Sequence, residues 1–104
     1  MGVVGTGEQD VNGITEAQRE AVEEAMKLIL EEDRERGVTL EMMFDCEGCA
    51  RSRPLAGAVT YFETTLCNDC ATRFELERVA GTVRNSAEYV ERRRRGRRKM
   101  KKVS

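Results

Sequence analysis

The apolar residues of the N-terminal half recur at helical spacing. A glycine-rich segment over residues 1–14 predicts a flexible lead. Thr15 and Gln18 have the spacing of a capping box, and Gly37 suits the position just after a helix. The pattern therefore predicts an acidic amphipathic helix over residues 15–37, with one apolar stripe formed by Ala17, Ala21, Val22, Ala25, Met26, Leu28 and Ile29.

The hydrophobic period changes from helical to alternating after this helix. Alternation predicts a half-buried strand whose inward side chains are Val38, Leu40, Met42 and Phe44. Residues 51–54 have the composition of a loop, and Gly57 that of a turn. The β-branched and aromatic residues of 58–66 predict a second strand.

Two more helices are predicted in the C-terminal half. Apolar spacing from Ala71 predicts a helix that continues to Ala80 and stops at Gly81. Asn85 and Glu88 form a second capping box for a last helix, from residue 86 to about residue 95. Gly96 interrupts the basic run, and residues 97–104 are expected to fray.

The composition indicates one small domain with a weak core. The chain has 104 residues, of which 36% are charged and 39% apolar, and it contains no Trp. A chain of this kind often needs a stabilising cross-link in addition to its apolar core. It has neither a run of about eighteen apolar residues nor a secretory signal near Met1, which predicts no membrane partner. We expect an intracellular, reducing compartment, and a cytoplasmic, nuclear or organellar location would all fit.

The small net charge hides a strong polarity along the chain. Residues 1–47 hold thirteen acidic and four basic residues, residues 48–83 hold four of each, and residues 84–104 hold two acidic and ten basic residues. An acidic head and a basic tail suggest different partners at the two ends. The alternative is that the basic tail is a solvated, disordered segment.

All four cysteines lie in two CxxC pairs with the spacing C-x2-C-x17-C-x2-C: Cys46, Cys49, Cys67 and Cys70. Two disulfides or a redox pair are possible, but cytosolic thiols stay reduced and a redox motif would leave one pair unexplained. Two CxxC corners joined by a short hairpin instead supply four thiolates to one tetrahedral ion, so the spacing predicts one structural Zn²⁺. The nearby arginines Arg51, Arg53 and Arg73 can offset thiolate charge or serve only as surface charge.

The predicted architecture is a small α+β fold in four segments. A flexible lead (1–14) precedes the acidic helix (15–37), a four-cysteine zinc finger with a short β-hairpin and helix (38–83), and a basic helix and tail (84–104). A closed four-sulfur shell leaves no coordination position for water or substrate. The chain also has no His and no phosphate-cradling glycine loop, so we expect neither an enzyme nor a small-molecule substrate.

This order of elements resembles the treble-clef-like finger of the DksA/TraR-type transcription regulators. That family has the same cysteine spacing, with an acidic helix before the finger and a helix after it. The resemblance implies docking on RNA polymerase, with acidic residues reaching into its secondary channel. Those fingers commonly have Gly after the first pair, where this chain has Ala50. The candidates for the acidic tip are Asp10, Glu31, Glu32 and Asp33.

A second resemblance is to the GATA-type DNA-binding finger. Leu66-Cys67-Asn68-Asp69-Cys70 is close to its LCNxC signature, and a basic tail follows the finger in that family too. Ala56-Gly57 stands where that family has a Trp followed by arginines, and Ala71 stands where it has Gly. This resemblance implies a sequence-specific DNA-binding protein.

The C-terminal tail carries nine positive charges in eleven residues. Such density binds DNA or RNA phosphates by counterion release, without sequence specificity. The predicted nucleic-acid contacts are Arg92, Arg93, Arg94, Arg95, Arg97, Arg98, Lys99, Lys101 and Lys102.

The expected function is that of a zinc-binding adaptor of the transcription machinery, whose acidic helix contacts protein and whose basic tail contacts nucleic acid. Its partner would be RNA polymerase or another large protein assembly. The alternatives are a GATA-like DNA-binding protein and a structural zinc-binding subunit of a protein or ribonucleoprotein assembly.

Overall fold

Three helices and two short antiparallel hairpins form the part of the chain described by a computed structural model, which covers residues 13–62 and 64–103 and the side chains as far as Arg97. The predicted small α+β class is confirmed. Within this part of the chain, no helix is both long enough and apolar enough to cross a membrane. The elements in chain order are α1 (Glu16–Glu35), β1 (Met43–Cys46), β2 (Arg51–Pro54), β3 (Val59–Thr60), β4 (Thr65–Leu66), α2 (Asn68–Ala80) and α3 (Ser86–Val103).

Helix α1 begins at the predicted capping box. The Gln18 amide donates to Thr15 Oγ1 at 3.1 Å, and the Thr15 amide donates to Gln18 Oε1 at 2.9 Å. These two bonds satisfy amides that have no partner within the helix. The predicted flexible lead lies outside the described residues up to position 12, but Ile14, which was assigned to it, is buried.

The apolar face of α1 is narrower than its sequence pattern predicts. Met26 is buried, and Val22 and Ile29 pack against the core beside it. The other members of the predicted stripe are exposed, because the finger beneath the helix is too small to cover a wide face: Ala17, Ala21, Ala25 and Leu28. Asp33 lies further along the same face of α1 and is partly buried, and its Oδ2 accepts the Gly57 amide at 2.9 Å.

The strand predicted from the alternation after α1 is placed wrongly. Residues 40 and 41 form a turn that the Met42 amide closes by donating to the Thr39 carbonyl at 3.2 Å, and β1 pairs with β2 from Met43↔Pro54 to Cys46↔Arg51. The tight turn between the two strands brings residues 51–54 alongside 43–46, so the predicted loop at 51–54 is a strand instead. The earlier alternating residues lie beyond the end of this ladder.

The single strand predicted over residues 58–66 is also wrong. The segment folds into the β3–β4 hairpin, which pairs Val59 with Leu66 and Thr60 with Thr65. The Tyr61 amide closes the turn by donating to the Thr64 carbonyl at 2.7 Å. Aromatic and β-branched residues favour extended backbone on both sides of a turn, so this composition does not mark where the chain reverses.

Helix α2 ends where predicted. Gly81 adopts a left-handed conformation (φ 84°), which suits a residue without a side chain. Its amide donates to the Arg78 carbonyl at 3.1 Å, and the Thr82 amide donates to the Glu77 carbonyl at 2.9 Å. This is the Schellman arrangement that satisfies the last carbonyls of a helix.

Helix α3 continues through Gly96 to Val103, so its predicted end at about residue 95 is wrong. One interior glycine costs a helix about 1 kcal/mol, and the flanking arginines are good helix formers. At the start of α3, Asn85 Oδ1 accepts the Glu88 amide at 2.9 Å, as predicted. The Glu88 carboxylate accepts the Arg84 amide at 2.7 Å.

The core is a row of aromatic rings beside the cysteines. Phe74 makes edge contacts with Tyr61 and Tyr89, at centroid distances of 4.9 and 5.9 Å. The Tyr61 hydroxyl donates to Glu75 Oε2 at 2.7 Å. Three of the four cysteines belong to the same buried cluster as these rings, so the cysteine site lies at the centre of the fold rather than at its edge.

Candidate metal centre

The first cysteine pair lies in the tight turn that joins β1 to β2. Cys46 ends β1, and its carbonyl accepts the Ala50 amide at 2.8 Å, which closes the turn around Cys49. Gly48 lies against the second pair: a Cβ at this position would be 2.8 Å from Cys70 Sγ. Any side chain at position 48 would therefore push the two pairs apart.

The second pair lies at the beginning of α2. Cys67 is the N-cap residue, and Cys70 lies in the first turn of the helix. The Ala71 amide donates to the Cys67 carbonyl at 2.8 Å. The positive end of the helix dipole therefore points toward the sulfur atoms, where it stabilises negative charge.

The four sulfur atoms form a cluster that can hold a metal ion. All lie within 4.8 Å of one another, and all four cysteines are free thiols. A tetrahedral zinc–thiolate site with bonds of about 2.3 Å needs sulfur atoms about 3.8 Å apart, so small movements would close the shell. Cys46, Cys67 and Cys70 are at most 3% exposed, and Cys49 is half-buried. The predicted ligand set is thus brought together.

The thiols of the metal-free cluster differ in acidity. Burial disfavours a charged Cys46, but the amides of Cys67, Cys49 and Gly48 outweigh it and lower the pKa of Cys46 to about 7. One of these bonds, from the Cys67 amide to Cys46 Sγ, is 3.3 Å long. Burial and the neighbouring sulfurs raise the pKa of Cys70. Ionising all four crowded thiols would therefore require a cation among them.

Arg53 places a positive charge beside the second pair. Its side chain lies next to Cys67, and this contact raises the pKa of the guanidinium. Its Nε is buried and has no hydrogen-bond partner among the described residues. A negatively charged sulfur atom can accept the hydrogen bond that this N–H group donates. Arg53 Nη2 also donates to Asp69 Oδ2 at 2.8 Å, which ties β2 to the start of α2.

Asn68 links the second pair to α1, a role that the sequence reasoning missed. Its Nδ2 donates to the Met26 carbonyl and to the Gly57 carbonyl, each at 3.0 Å. The same turn is held from the other side by Asp33. Asp33 is thereby assigned a structural role, which leaves Glu31 and Glu32 as exposed candidates for an acidic tip, while Asp10 lies outside the described residues. Asn68 stood out only as part of the LCNxC match.

The predicted basic contacts do not all share one surface. Arg92, Arg93 and Arg97 lie around a groove between α3 and the first cysteine pair. Arg94 and Arg95 are exposed and do not line that groove, and Arg95 is 3.7 Å from Glu91. The remaining predicted contacts belong to α3, but their side chains lie outside the described residues: Arg98, Lys99, Lys101 and Lys102.

Helix α3 is fastened directly to the first cysteine pair. Arg97 Nη1 donates to the Gly48 carbonyl at 2.7 Å. Residue spacing does not indicate this bond, since it joins positions 49 residues apart.

No protein-family model, curated protein or solved structure matches the chain.

Proposed function

We propose that this chain is a non-enzymatic, zinc-binding adaptor that acts on the transcription machinery. In this proposal one structural Zn²⁺ is held by Cys46, Cys49, Cys67 and Cys70. The acidic helix α1 docks on RNA polymerase, and the basic helix α3 contacts nucleic acid. A four-thiolate ion has no free coordination position, so the finger acts by positioning surfaces rather than by chemistry at the metal.

The separation of charge around the cysteine cluster is the observation that carries this proposal. Helix α1 exposes seven glutamates: Glu16, Glu20, Glu23, Glu24, Glu31, Glu32 and Glu35. Helix α3 has arginines at five of the six positions from 92 to 97. Both helices are bonded to the finger, α1 through Asn68 and α3 through Arg97. Two oppositely charged surfaces held on one small body suit a bridge between a basic protein surface and a polyanion.

Retention of purified RNA polymerase tests the protein contact. We expect the immobilised chain, loaded with zinc, to retain polymerase from its own cells without added nucleic acid. The variant Glu31→Gln/Glu32→Gln should weaken retention several-fold, because it removes two exposed charges at the candidate tip.

The matched control is Glu23→Gln/Glu24→Gln, which removes the same charge from exposed positions earlier in α1. Greater loss with the first variant supports a tip that docks on the polymerase. Equal loss of retention in the two variants would indicate diffuse attraction by α1 and would contradict a docking tip at Glu31 and Glu32. No retention by the unaltered chain would overturn the polymerase partner.

A second candidate function is that of a structural subunit in a larger protein or ribonucleoprotein assembly. It is favoured by large apolar side chains that the described fold leaves exposed, which an assembly could cover: Leu40, Met42, Met43, Leu55 and Phe62. Size-exclusion chromatography of the tagged chain from its own cells distinguishes the two. Stable elution with a large assembly that lacks polymerase subunits would favour this second candidate.

A further inference from the structure

A basic groove with no role so far lies where α3 crosses the first cysteine pair. This open groove has a volume of about 310 Å³. It lies between two elements that are distant in sequence, strand β2 and helix α3. Four of its six lining residues are arginines and none is acidic: Cys49, Arg51, Arg92, Arg93, Gly96 and Arg97.

The groove is held in shape by the fold. Arg97 fastens α3 to the knuckle through the Gly48 carbonyl at 2.7 Å. Arg51 is held by the β1–β2 ladder, where it pairs with Cys46. Gly96 adds no side chain to the wall, and a Cβ there would meet no atom within 4 Å. Two arginines are thus positioned by the cysteine turn, and Arg92 and Arg93 approach from the preceding turn of the helix.

Neither acidic residue of α3 lines this groove, and each lies close to an arginine outside it. Glu88 is 3.6 Å from Arg84, and Glu91 is 3.7 Å from Arg95. A zinc tetrathiolate beneath the groove would have a net charge of two negative units. The four guanidinium groups of the groove carry four positive charges. The groove would therefore keep a positive surplus with the ion bound, and that surplus can receive an anion.

We propose that this groove binds a phosphate group of a nucleic-acid backbone. Arginine is suited to this ligand, since its planar fork donates two parallel hydrogen bonds to phosphate oxygens. The proposal rests on the nucleic-acid contact of the proposed function and localises it to one groove. It also makes that contact dependent on the metal, because the Gly48 carbonyl belongs to the turn that the ion would hold and Arg51 begins the strand that follows this turn.

Fluorescence anisotropy of a labelled single-stranded DNA, a labelled duplex and a labelled RNA tests the groove. The variant Arg92→Gln/Arg93→Gln removes two groove charges, and Arg94→Gln/Arg95→Gln removes the same charge from the same helix outside the groove. We expect the first to weaken binding at least about tenfold and the second less than about threefold. Zinc content and circular dichroism verify that both variants are folded.

A second pair of variants tests the contribution of β2. Arg51→Gln should weaken binding of the same probes, whereas Arg34→Gln, an exposed arginine on α1, should not. Removing zinc with a chelator should abolish the difference between the two double variants, because the fold that shapes the groove depends on the ion. Millimolar inorganic phosphate should compete only weakly if the ligand is a backbone phosphate flanked by its neighbours.

The failures of the two proposals are distinguishable. Equal loss in both double variants would overturn the groove and leave a diffuse nucleic-acid contact intact. No binding of any nucleic acid would overturn both the groove and the nucleic-acid part of the proposed function, while polymerase retention would still test the remainder. Tight binding of inorganic phosphate without nucleic-acid binding would overturn the backbone as the source of the phosphate.

Discussion

Ala50 has a backbone conformation that its side chain disfavours. Its φ is 57°, in the left-handed region, directly after Cys49. The turn requires this conformation, because the Ala50 amide reaches back to the Cys46 carbonyl. A non-glycine residue in this region costs about 1–2 kcal/mol.

We predict that Ala50→Gly stabilises the zinc-loaded protein. Relief of strain exceeds the extra chain entropy of glycine, which leaves a gain of about 1 kcal/mol in the free energy of unfolding. Urea unfolding in reducing buffer with saturating zinc measures it. The control Ala25→Gly, at an exposed position inside α1, should instead lose about 1 kcal/mol. A loss of stability in Ala50→Gly would contradict this account of the turn.

The cysteine pKa values predict a steep pH dependence of zinc affinity. In the metal-free chain Cys67 and Cys70 have raised pKa values, first because of burial, so both are protonated near neutral pH. Zinc must displace these two protons at least, and affinity must fall as pH falls. We expect the logarithm of the apparent association constant to rise by about two or more per pH unit between pH 6 and 7. Competition with a chromogenic chelator measures it, and a slope near zero would contradict thiolate ligation.

At the scale of elements, Asn68 holds three of them together. It begins α2, and its two side-chain N–H groups donate to the carbonyls of Met26 in α1 and Gly57 in the turn before β3. A carboxylate at position 68 has the same shape but no hydrogens to donate. It would also place negative charge against two carbonyl oxygens.

We predict that Asn68→Asp lowers the free energy of unfolding by about 2–4 kcal/mol, since two partly buried carbonyls lose their donor. Asp69→Asn is the matched control: it alters the next residue, whose side chain is 70% exposed. It should cost less than about 1 kcal/mol, because it removes only an exposed ion pair with Arg53. Chemical unfolding with saturating zinc measures both. Equal effects would show that Asn68 does not hold α1.

The helices and strands also show which structural features can be predicted from the sequence. The start of α1 at Thr15, the end of α2 at Gly81 and the cysteine quartet were predicted, because capping and metal spacing depend on residues close together in the chain. The strand at 38–44 was wrong, because hydrophobic alternation does not specify a pairing partner. The bond from Asn68 to Met26 and the bond from Arg97 to Gly48 were missed, because each joins positions more than 40 residues apart.

At the scale of the whole molecule, the cysteine cluster and the apolar core are one structure. Cys46, Cys67 and Cys70 share their buried cluster with Leu66 and Phe74. Structural zinc contributes on the order of 10 kcal/mol of apparent binding energy, which is comparable to the whole stability of an ordinary domain. The fold and the metal are therefore expected to be lost together.

We predict that a strong chelator in reducing buffer unfolds the protein in one transition. Circular dichroism in the far ultraviolet should lose most of its helical signal, and the near-ultraviolet signal of Tyr61 and Tyr89 should disappear. Restoring zinc should restore both signals, and magnesium should not, since it prefers oxygen ligands. A metal-free protein that still unfolds cooperatively would contradict a structural ion.

The bonds of Asn68 also have a consequence for the order in which a growing chain can fold. Helix α1 leaves the ribosome about 40 residues before the asparagine that receives it. An isolated helix of twenty residues with a polar surface is only marginally stable in water. Nascent α1 therefore lacks its partner, with Met26 uncovered, until Cys70 has also left the ribosome and the metal can close the finger. A pause in translation after α1 has emerged would prolong the interval in which a chaperone can bind this segment.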